Sequence, residues 1–441
     1  MKEIFIMDTK SRIKSIRIEK LFEIFDYDIQ YPTNENVLII TGPNGFGKTQ
    51  VLNILYSLFN RKFMFFQTLI FEKITVYLNN NISIEIHKNI NEEKEVILTI
   101  LKEETEIDKF QYSIDKKMMR DITRHLPISW IEEDKWLDRM SEEILSIDEI
   151  ILRYEDSLPS EISNKILNFN SEEANSILDS INVHLIREQR LFKKASVRER
   201  NYRNESNQMV MIETIQTYSD ELKNLISERI QKSFAISQSL DRTYPKRLIS
   251  GKKRVSKKEY DQKFADLTNK QDRLMKNGLH EETQQTLEYS EDDAKALLVY
   301  LNDLEQKLEI FDDLLEKLEL FSNILNERRF TFKSIHISRD KGFYFKTTKG
   351  KELKLSQLSS GEQHEVILLY ELIFKTSADI LVLIDEPEIS LHITWQKEFL
   401  DDLLKIIKMQ NFQVLIATHS PSIINGRWDL VYNLEKKDGN E

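Results

Sequence analysis

The sequence predicts an α/β fold: a mostly parallel sheet with flanking helices, an antiparallel N-terminal meander, and an inserted helical or coiled-coil arm. Three observations predict it. The apolar runs inside VLIIT (37–41), DILVLIDE (379–386) and FQVLIATHS (412–420) have the unbroken character of strands buried on both faces. Segments with apolar residues at helical spacing alternate with them: TQVLNILYSLF (49–59), HEVILLYELIF (364–374) and TWQKEFLDDLLKIIK (394–408). The alternation of ITVYL, ISIEI and VILTI between Ile74 and Ile100 is that of half-buried antiparallel strands.

Taken in order, KSIRIEKLF (14–22) and IFDYDIQY (24–31) read as short strands, and VLIIT ends at Gly42. A glycine-rich turn and the helix from Thr49 follow, and the meander turns at Asn79-Asn80-Asn81. Residues 1–100 thus form a first lobe. Residues 101–330 are charged, glycine-poor and mostly helical by pattern, interrupted by the strand-like INVHLI (181–186). Between 294 and 328, Leu297, Leu301, Leu304, Leu308, Phe311, Leu315, Leu318 and Leu325 keep a 4-3 spacing broken at Ser322. That spacing fits a coiled-coil seam or a long amphipathic helix packed on its own domain. FKSIHISRDKGFYFKTT (332–348) reads as a hairpin turning at Asp340 to Gly342, and DLVYNLE (429–435) as a last short strand. Residues 331–441 form the second lobe.

At 441 residues, 40% hydrophobic and 31% charged, the chain has the composition of an ordinary globular protein with a sizeable core. It has no cysteine, which excludes disulfides and thiolate zinc sites and suits a reducing compartment. MKEIFIMDTKSRIKSIRIEK lacks the apolar core of a signal peptide, and no run of eighteen apolar residues occurs, so a cytoplasmic protein without a membrane partner is expected. The net charge of -11 speaks against indiscriminate coating of nucleic acid.

Gly42-Pro43-Asn44-Gly45-Phe46-Gly47-Lys48-Thr49 matches the P-loop pattern in a strand-loop-helix context. Its backbone N–H groups would close on the phosphates of ATP, Lys48 would reach the β- and γ-phosphates, and the Thr49 hydroxyl would bind Mg²⁺. Asp385 and Glu386 leave the carboxyl end of a buried strand, where open α/β sheets bind ligands. Asp385 suits the metal, and Glu386 is placed to orient or deprotonate an attacking water. His419 ends the next buried strand, positioned to sense the γ-phosphate or hold that water. A second small-residue turn, Ser359-Ser360-Gly361 within LSSGEQ (358–363), opens another helix and suits an anion.

Together these segments resemble the ABC-type ATPase heads of the OLD, RecF and SMC-like group, of the AAA_21/AAA_15-like kind. On that resemblance Gly42 to Thr49 is similar to Walker A, Leu358 to Gln363 to the signature loop, and Asp385 with Glu386 to Walker B and the catalytic glutamate. Ser390 to His392 falls near the D-loop, and His419 is similar to the switch histidine. Ser360 departs from the pattern, standing where many members have the first of two glycines. The resemblance also implies a Q-loop glutamine that contacts nucleotide and metal: Gln189 in LIREQRLF, with Gln67 as the alternative. It implies two heads joined head to tail as a homodimer or higher homo-oligomer, each ATP held between one P-loop and the other subunit's signature loop.

Two segments, IREQRLFKKASVRERNYR (186–203) and RTYPKRLISGKKRVSKK (242–258), are locally basic and suit either contact with DNA phosphates or a solvated face. Tyr202 and Tyr244 are the aromatic residues among them. No nuclease motif follows His419, where OLD proteins carry a TOPRIM domain, so a separately encoded effector is expected. That arrangement resembles the standalone ATPase subunits of bacterial antiphage systems, AriA of PARIS and PtuA of Septu among them. A RecF- or SMC-like repair ATPase that binds DNA is the alternative.

Overall fold

The computed structural model describes residues 11–33, 35–89, 92–112, 126–132, 135–139, 143–146, 150, 169–188, 190–201, 204–251, 253–280, 287–378 and 380–435. The chain divides into two compact units: Met1–Glu188 with Thr376–Ile389 and Gln396–Glu441, and Gln189–Lys375 with Ser390–Trp395.

The first unit holds β1 (Ile13–Leu21), β2 (Phe25–Gln30), β3 (Val37–Thr41), β4 (Lys73–Leu78), β5 (Ile82–Asn89), β6 (Glu92–Lys102) and β7 (Thr105–Tyr112). It also holds a small sheet of β8 (Ile128–Glu132), β9 (Lys135–Asp138) and β10 (Ile144–Ser146), then β11 (Asn182–Ile186). β17 (Ile380–Asp385), β18 (Gln413–Ala417) and β19 (Val431–Asn433) complete it. Its helices are α1 (Lys48–Phe59), α2 (Met64–Thr68) and α3 (Glu172–Asp179).

Five of these strands form one parallel sheet in the order β11-β17-β18-β3-β19. The three predicted apolar runs occupy its centre, and β18 is buried at every residue, as a strand covered on both faces requires. β11 is the strand-like INVHLI that interrupts the helical reading of residues 101–330. It pairs with β17 from Asn182↔Ile380 to Ile186↔Ile384, so the sheet takes its edge from the middle of the chain. An edge strand is only half covered and tolerates Asn182 and His184, which is why its sequence signal is short and mixed.

The antiparallel sheet runs β2-β1-β4-β5-β6-β7, extending the meander to Tyr112. Ile74, Val76, Ile84, Ile86, Leu98 and Ile100 all face inward and share a core with Val51, Leu52, Leu55 and Leu58 of α1. Gln413 ties the two sheets together. Its buried amide accepts from Ile13 N–H at 2.9 Å and donates to Ile13 O at 3.0 Å, standing in for a strand neighbour.

The second unit contains a two-stranded ribbon, β12 (Phe192–Asn201) and β13 (Asn204–Glu213), where helix was expected. Then come α4 (Thr214–Ser250), α5 (Lys257–Lys276), α6 (Ala294–Glu309) and α7 (Asp312–Ile324). The leucine stripe of residues 294–328 is not one continuous helix: α6 ends at Glu309, α7 starts at Asp312, and a π-turn covers Leu325–Arg329. Its apolar positions are buried, with α6 packed on α4 and α5. The 4-3 spacing reports a stripe needing cover, and here helices of the same unit supply it. Ion pairs flank the packing, Arg247 with Asp303 and Lys263 with Glu305 at 2.7 Å.

β14 (Lys333–Ser338), β15 (Gly342–Thr347) and β16 (Glu352–Leu353) form a three-stranded sheet whose hairpin turns where the sequence predicts, and α8 (Ser360–Phe374) follows. Gly342 has φ +71°, and a Cβ there would lie 1.9 Å from the Ser219 carbonyl oxygen of α4. Gly342→Ala combines left-handed strain with a backbone clash and will destabilise the protein by about 2–4 kcal/mol. A thermal melt unchanged from wild type would contradict that packing.

Candidate functional site

The P-loop leaves the carboxyl end of β3 and enters α1 at Lys48. Gly47 has φ +86°, and a Cβ there would approach Leu21 Cδ2 to 2.9 Å, so the loop needs glycine both for its turn and for its contact with β1. Tyr27 of β2 donates from its hydroxyl to Phe46 O at 2.8 Å, fixing the loop to the antiparallel sheet. The Lys48 side chain is buried, and its ammonium donates to Gly42 O at 2.9 Å and Pro43 O at 3.4 Å. A fixed cation therefore sits inside a ring of glycine backbone, which suits an anion.

β17 and β18 are neighbours of each other, and β18 of β3, so residues following all three converge at one end of the parallel sheet. Thr49 Oγ1 donates to Asp385 Oδ1 at 3.1 Å. Glu386 approaches Lys48 Nζ to 3.7 Å and His419 Nδ1 to 2.5 Å. Glu386 has φ +44°, and its N–H donates to Ala417 O of β18 at 2.9 Å. A non-glycine residue in that region is held there by its surroundings, and here the backbone bond and the side-chain contacts with Lys48 and His419 hold it.

Burial pushes the Asp385 carboxyl above its ordinary range, opposed by the hydrogen bond from Thr49. Burial also raises Glu386, and the neighbouring Glu388 raises it further, while His419 acts in the opposite direction. His419 is the open member, its side chain 56% exposed against 14% for Glu386. A carboxylate with a raised proton affinity, beside an exposed imidazole and an ammonium, can accept a proton from a water and stabilise charge nearby.

The other small-residue turn lies in the second unit. Ser359 caps α8 in a reciprocal box: its Oγ accepts from Glu362 N–H at 3.3 Å, and its own N–H donates to Glu362 Oε2 at 2.7 Å. Lys333 donates to both Glu362 oxygens at 2.7 Å. Although burial raises Glu362, the bonds from Lys333 and Ser359 hold its carboxyl below the ordinary range. Ser359 and Ser360 are exposed and Gly361 is half-buried, so the turn is presented to solvent on a rigid cap.

Gly42 to Thr49, Asp385, Glu386 and His419 are thus brought together within one unit, and Ser359 to Gly361 form a separate turn. Gln189 and Tyr202 lie outside the described residues. Gln67, the alternative to Gln189, sits in α2, its carbonyl accepting from Lys88 Nζ at 3.0 Å. Leu391 is buried, and Thr394 N–H donates to His392 Nδ1 at 3.4 Å. Sequence reasoning missed Glu388, whose side chain is only 6% exposed and whose Oε1 lies 3.2 Å from His419 Nδ1. The ligand atoms of Glu386, Glu388 and His419 lie within 4.8 Å of one another. Nothing local to DEPE marks Glu388, because the groups it meets come from residues 418–420.

A phosphate-binding loop with a strand-end acid pair on a parallel sheet defines the class, a P-loop α/β domain. The chain matches the AAA ATPase domain family, AAA_15, over residues 12–424, and belongs to it. No curated protein matches it in sequence. Among solved structures it is similar to an Smc head domain with an extended coiled coil, bound to the C-terminal domain of ScpA, from Pyrococcus furiosus. That pair is 13% identical over 94% of this chain and 91% of the other, with a TM-score of 0.35. A SmcHead bound to the C-winged helix domain of ScpA is 11% identical over 93% and 91%, with a TM-score of 0.37. The SMC head domain from Thermotoga maritima is 11% identical over 96% and 94%, with a TM-score of 0.30. Among the described residues, no helix is long and apolar enough to cross a membrane.

Proposed function

We propose that this protein is an ABC-type ATPase that hydrolyses ATP between two heads joined head to tail. The observation carrying the proposal is the convergence of Lys48, Glu386 and His419 from the ends of three adjacent parallel strands. In this reading the P-loop amides and Lys48 hold the phosphates, Glu386 takes the proton from the attacking water, and His419 orients that water against the γ-phosphate. Thr49 Oγ1 and Asp385 Oδ1, 3.1 Å apart, are hard oxygen donors that fit Mg²⁺, which would neutralise charge between the β- and γ-phosphate oxygens. Gln189 would complete the set as the Q-loop residue.

The LSSGEQ turn supplies the other half of each site, with Ser359, Ser360 and Gly361 directed at the γ-phosphate bound by a second subunit. ATP then joins two surfaces, and its hydrolysis removes the charge that holds them. In domain terms, lobes 1–100 and 331–441 would supply the nucleotide-binding segments of the head and residues 101–330 the insertion, which also lends β7 and β11 to the sheets of the first unit. Ser359→Arg will leave ATP binding by the monomer intact while abolishing dimerisation and turnover. The lost helix cap costs about 1 kcal/mol, which a melting curve separates from the loss of activity. A Ser359→Arg protein that turns over ATP at the wild-type rate would sink the shared site.

As the task of this ATPase we propose control of a separately encoded effector nuclease in antiphage defence, a reading supported by family resemblance alone. A second reading, DNA binding in repair, is favoured by one observation. Arg242, Lys246, Lys253, Arg254, Lys257 and Lys258 are exposed around the α4–α5 turn. Co-purification of a nuclease supports the first role; salt-sensitive, ATP-dependent binding to duplex DNA without such a partner supports the second.

A further inference from the structure

We propose that Glu388 positions His419 for the reaction by anchoring the turn that carries it. This rests on the ATPase reading above. After β18 the chain turns sharply into the short helix beginning at Pro421, and the N–H groups of His419 and Ser420 donate to a side chain instead of a strand carbonyl. One oxygen of Glu388, Oε1, accepts from Thr418 Oγ1 at 2.6 Å, His419 N–H at 2.9 Å and Ser420 N–H at 3.1 Å. The same oxygen lies 3.2 Å from His419 Nδ1. Backbone and ring of His419 are therefore referenced to a single buried atom.

That atom is itself fixed. Glu388 lies in the 3-10 turn Pro387–Ser390 directly after β17, and its carbonyl accepts from Gln396 Nε2 at 3.2 Å. Gln396 in turn accepts from Ser420 Oγ at 3.0 Å, closing a loop of bonds around the His419 turn. Thr418 N–H donates to Ile40 O of β3 at 3.1 Å, so the turn is also registered against the strand that leads into the P-loop. The Glu386 N–H to Ala417 O bond and the Glu388 carboxylate together strap the ends of β17 and β18 at two points. The distance of 2.5 Å between Glu386 and His419 follows from those straps. Among the described residues no hydrogen bond or ion pair joins Glu388 to the P-loop, so its role is distinct from nucleotide binding.

The test is a steady-state comparison of ATP hydrolysis by wild type, Glu388→Ala, Glu388→Gln and Thr418→Val in the full chain. Glu388→Ala removes the acceptor shared by Thr418 Oγ1 and the His419 and Ser420 N–H groups and releases His419, and kcat is expected to fall about 10²-fold with KM for ATP unchanged. Glu388→Gln keeps an acceptor oxygen on an arm of the same length and is expected to recover most of that loss. Thr418→Val removes one donor at nearly constant volume and is expected to lower kcat about tenfold. It carries the test if Glu388→Ala does not fold. Wild-type kcat in Glu388→Ala, or in Thr418→Val where the alanine variant is unfolded, overturns the proposal. So does a glutamine variant as slow as alanine, or a loss confined to KM. Absence of hydrolysis by the wild type instead removes the ATPase reading on which the proposal stands.

Discussion

Lys48→Ala will lower ATP turnover at least about 10²-fold, the scale on which single charge-stabilising groups act in such sites. The side chain has no other work that alanine could do. It is buried, donates to the carbonyls of Gly42 and Pro43, and lies 3.7 Å from Glu386. Removing it takes the only P-loop cation from where the β- and γ-phosphates are proposed to sit and leaves Glu386 without its ammonium neighbour. Fluorescence titration with a labelled ATP analogue and a phosphate-release assay read the two consequences separately. Unchanged turnover would remove the phosphate-binding assignment of the loop.

Glu386→Gln will slow hydrolysis by about 10²–10³-fold while leaving ATP bound. The substitution is nearly isosteric, so the bond from its N–H to Ala417 O and the approach to His419 remain available. What is lost is an acceptor for the water's proton. Burial and Glu388 already raise the proton affinity of this carboxyl, as a general base requires. Because the proposed interface is held by the γ-phosphate, the variant should persist as a dimer in ATP and Mg²⁺ and dissociate in ADP. Light scattering measures that directly, and faster hydrolysis or a nucleotide-independent mass would contradict the role of Glu386.

Much of this arrangement was legible in the sequence for a definite reason. β3, β17 and β18 are central strands, and only continuous apolar sequence satisfies burial on both faces. The proposed site residues follow their carboxyl ends, so finding the strands located the candidates Lys48, Asp385, Glu386 and His419 as well. β11 was legible as the strand-like INVHLI despite its edge position, whereas the β12–β13 ribbon escaped because its charged, apolar-poor sequence carries no clear strand pattern. The 294–328 stripe was read as apolar, yet spacing does not name what covers it, and here α4 and α5 cover α6 while α8 and β14 pack on α7. Glu388 was invisible for a different reason: its meaning lies in three donors supplied by residues about thirty positions later, which no local pattern records.

The central claim, that one site is divided between two molecules, is tested most directly by mixing two inactive proteins. Lys48→Ala lacks a working P-loop but keeps its LSSGEQ turn, and Ser359→Arg has the complementary defect. If each site takes its P-loop from one subunit and its signature turn from the other, a mixed dimer contains one intact pair, and ATP turnover will reappear on mixing. If both loops of a site belong to the same chain, the mixture will stay as inactive as its components.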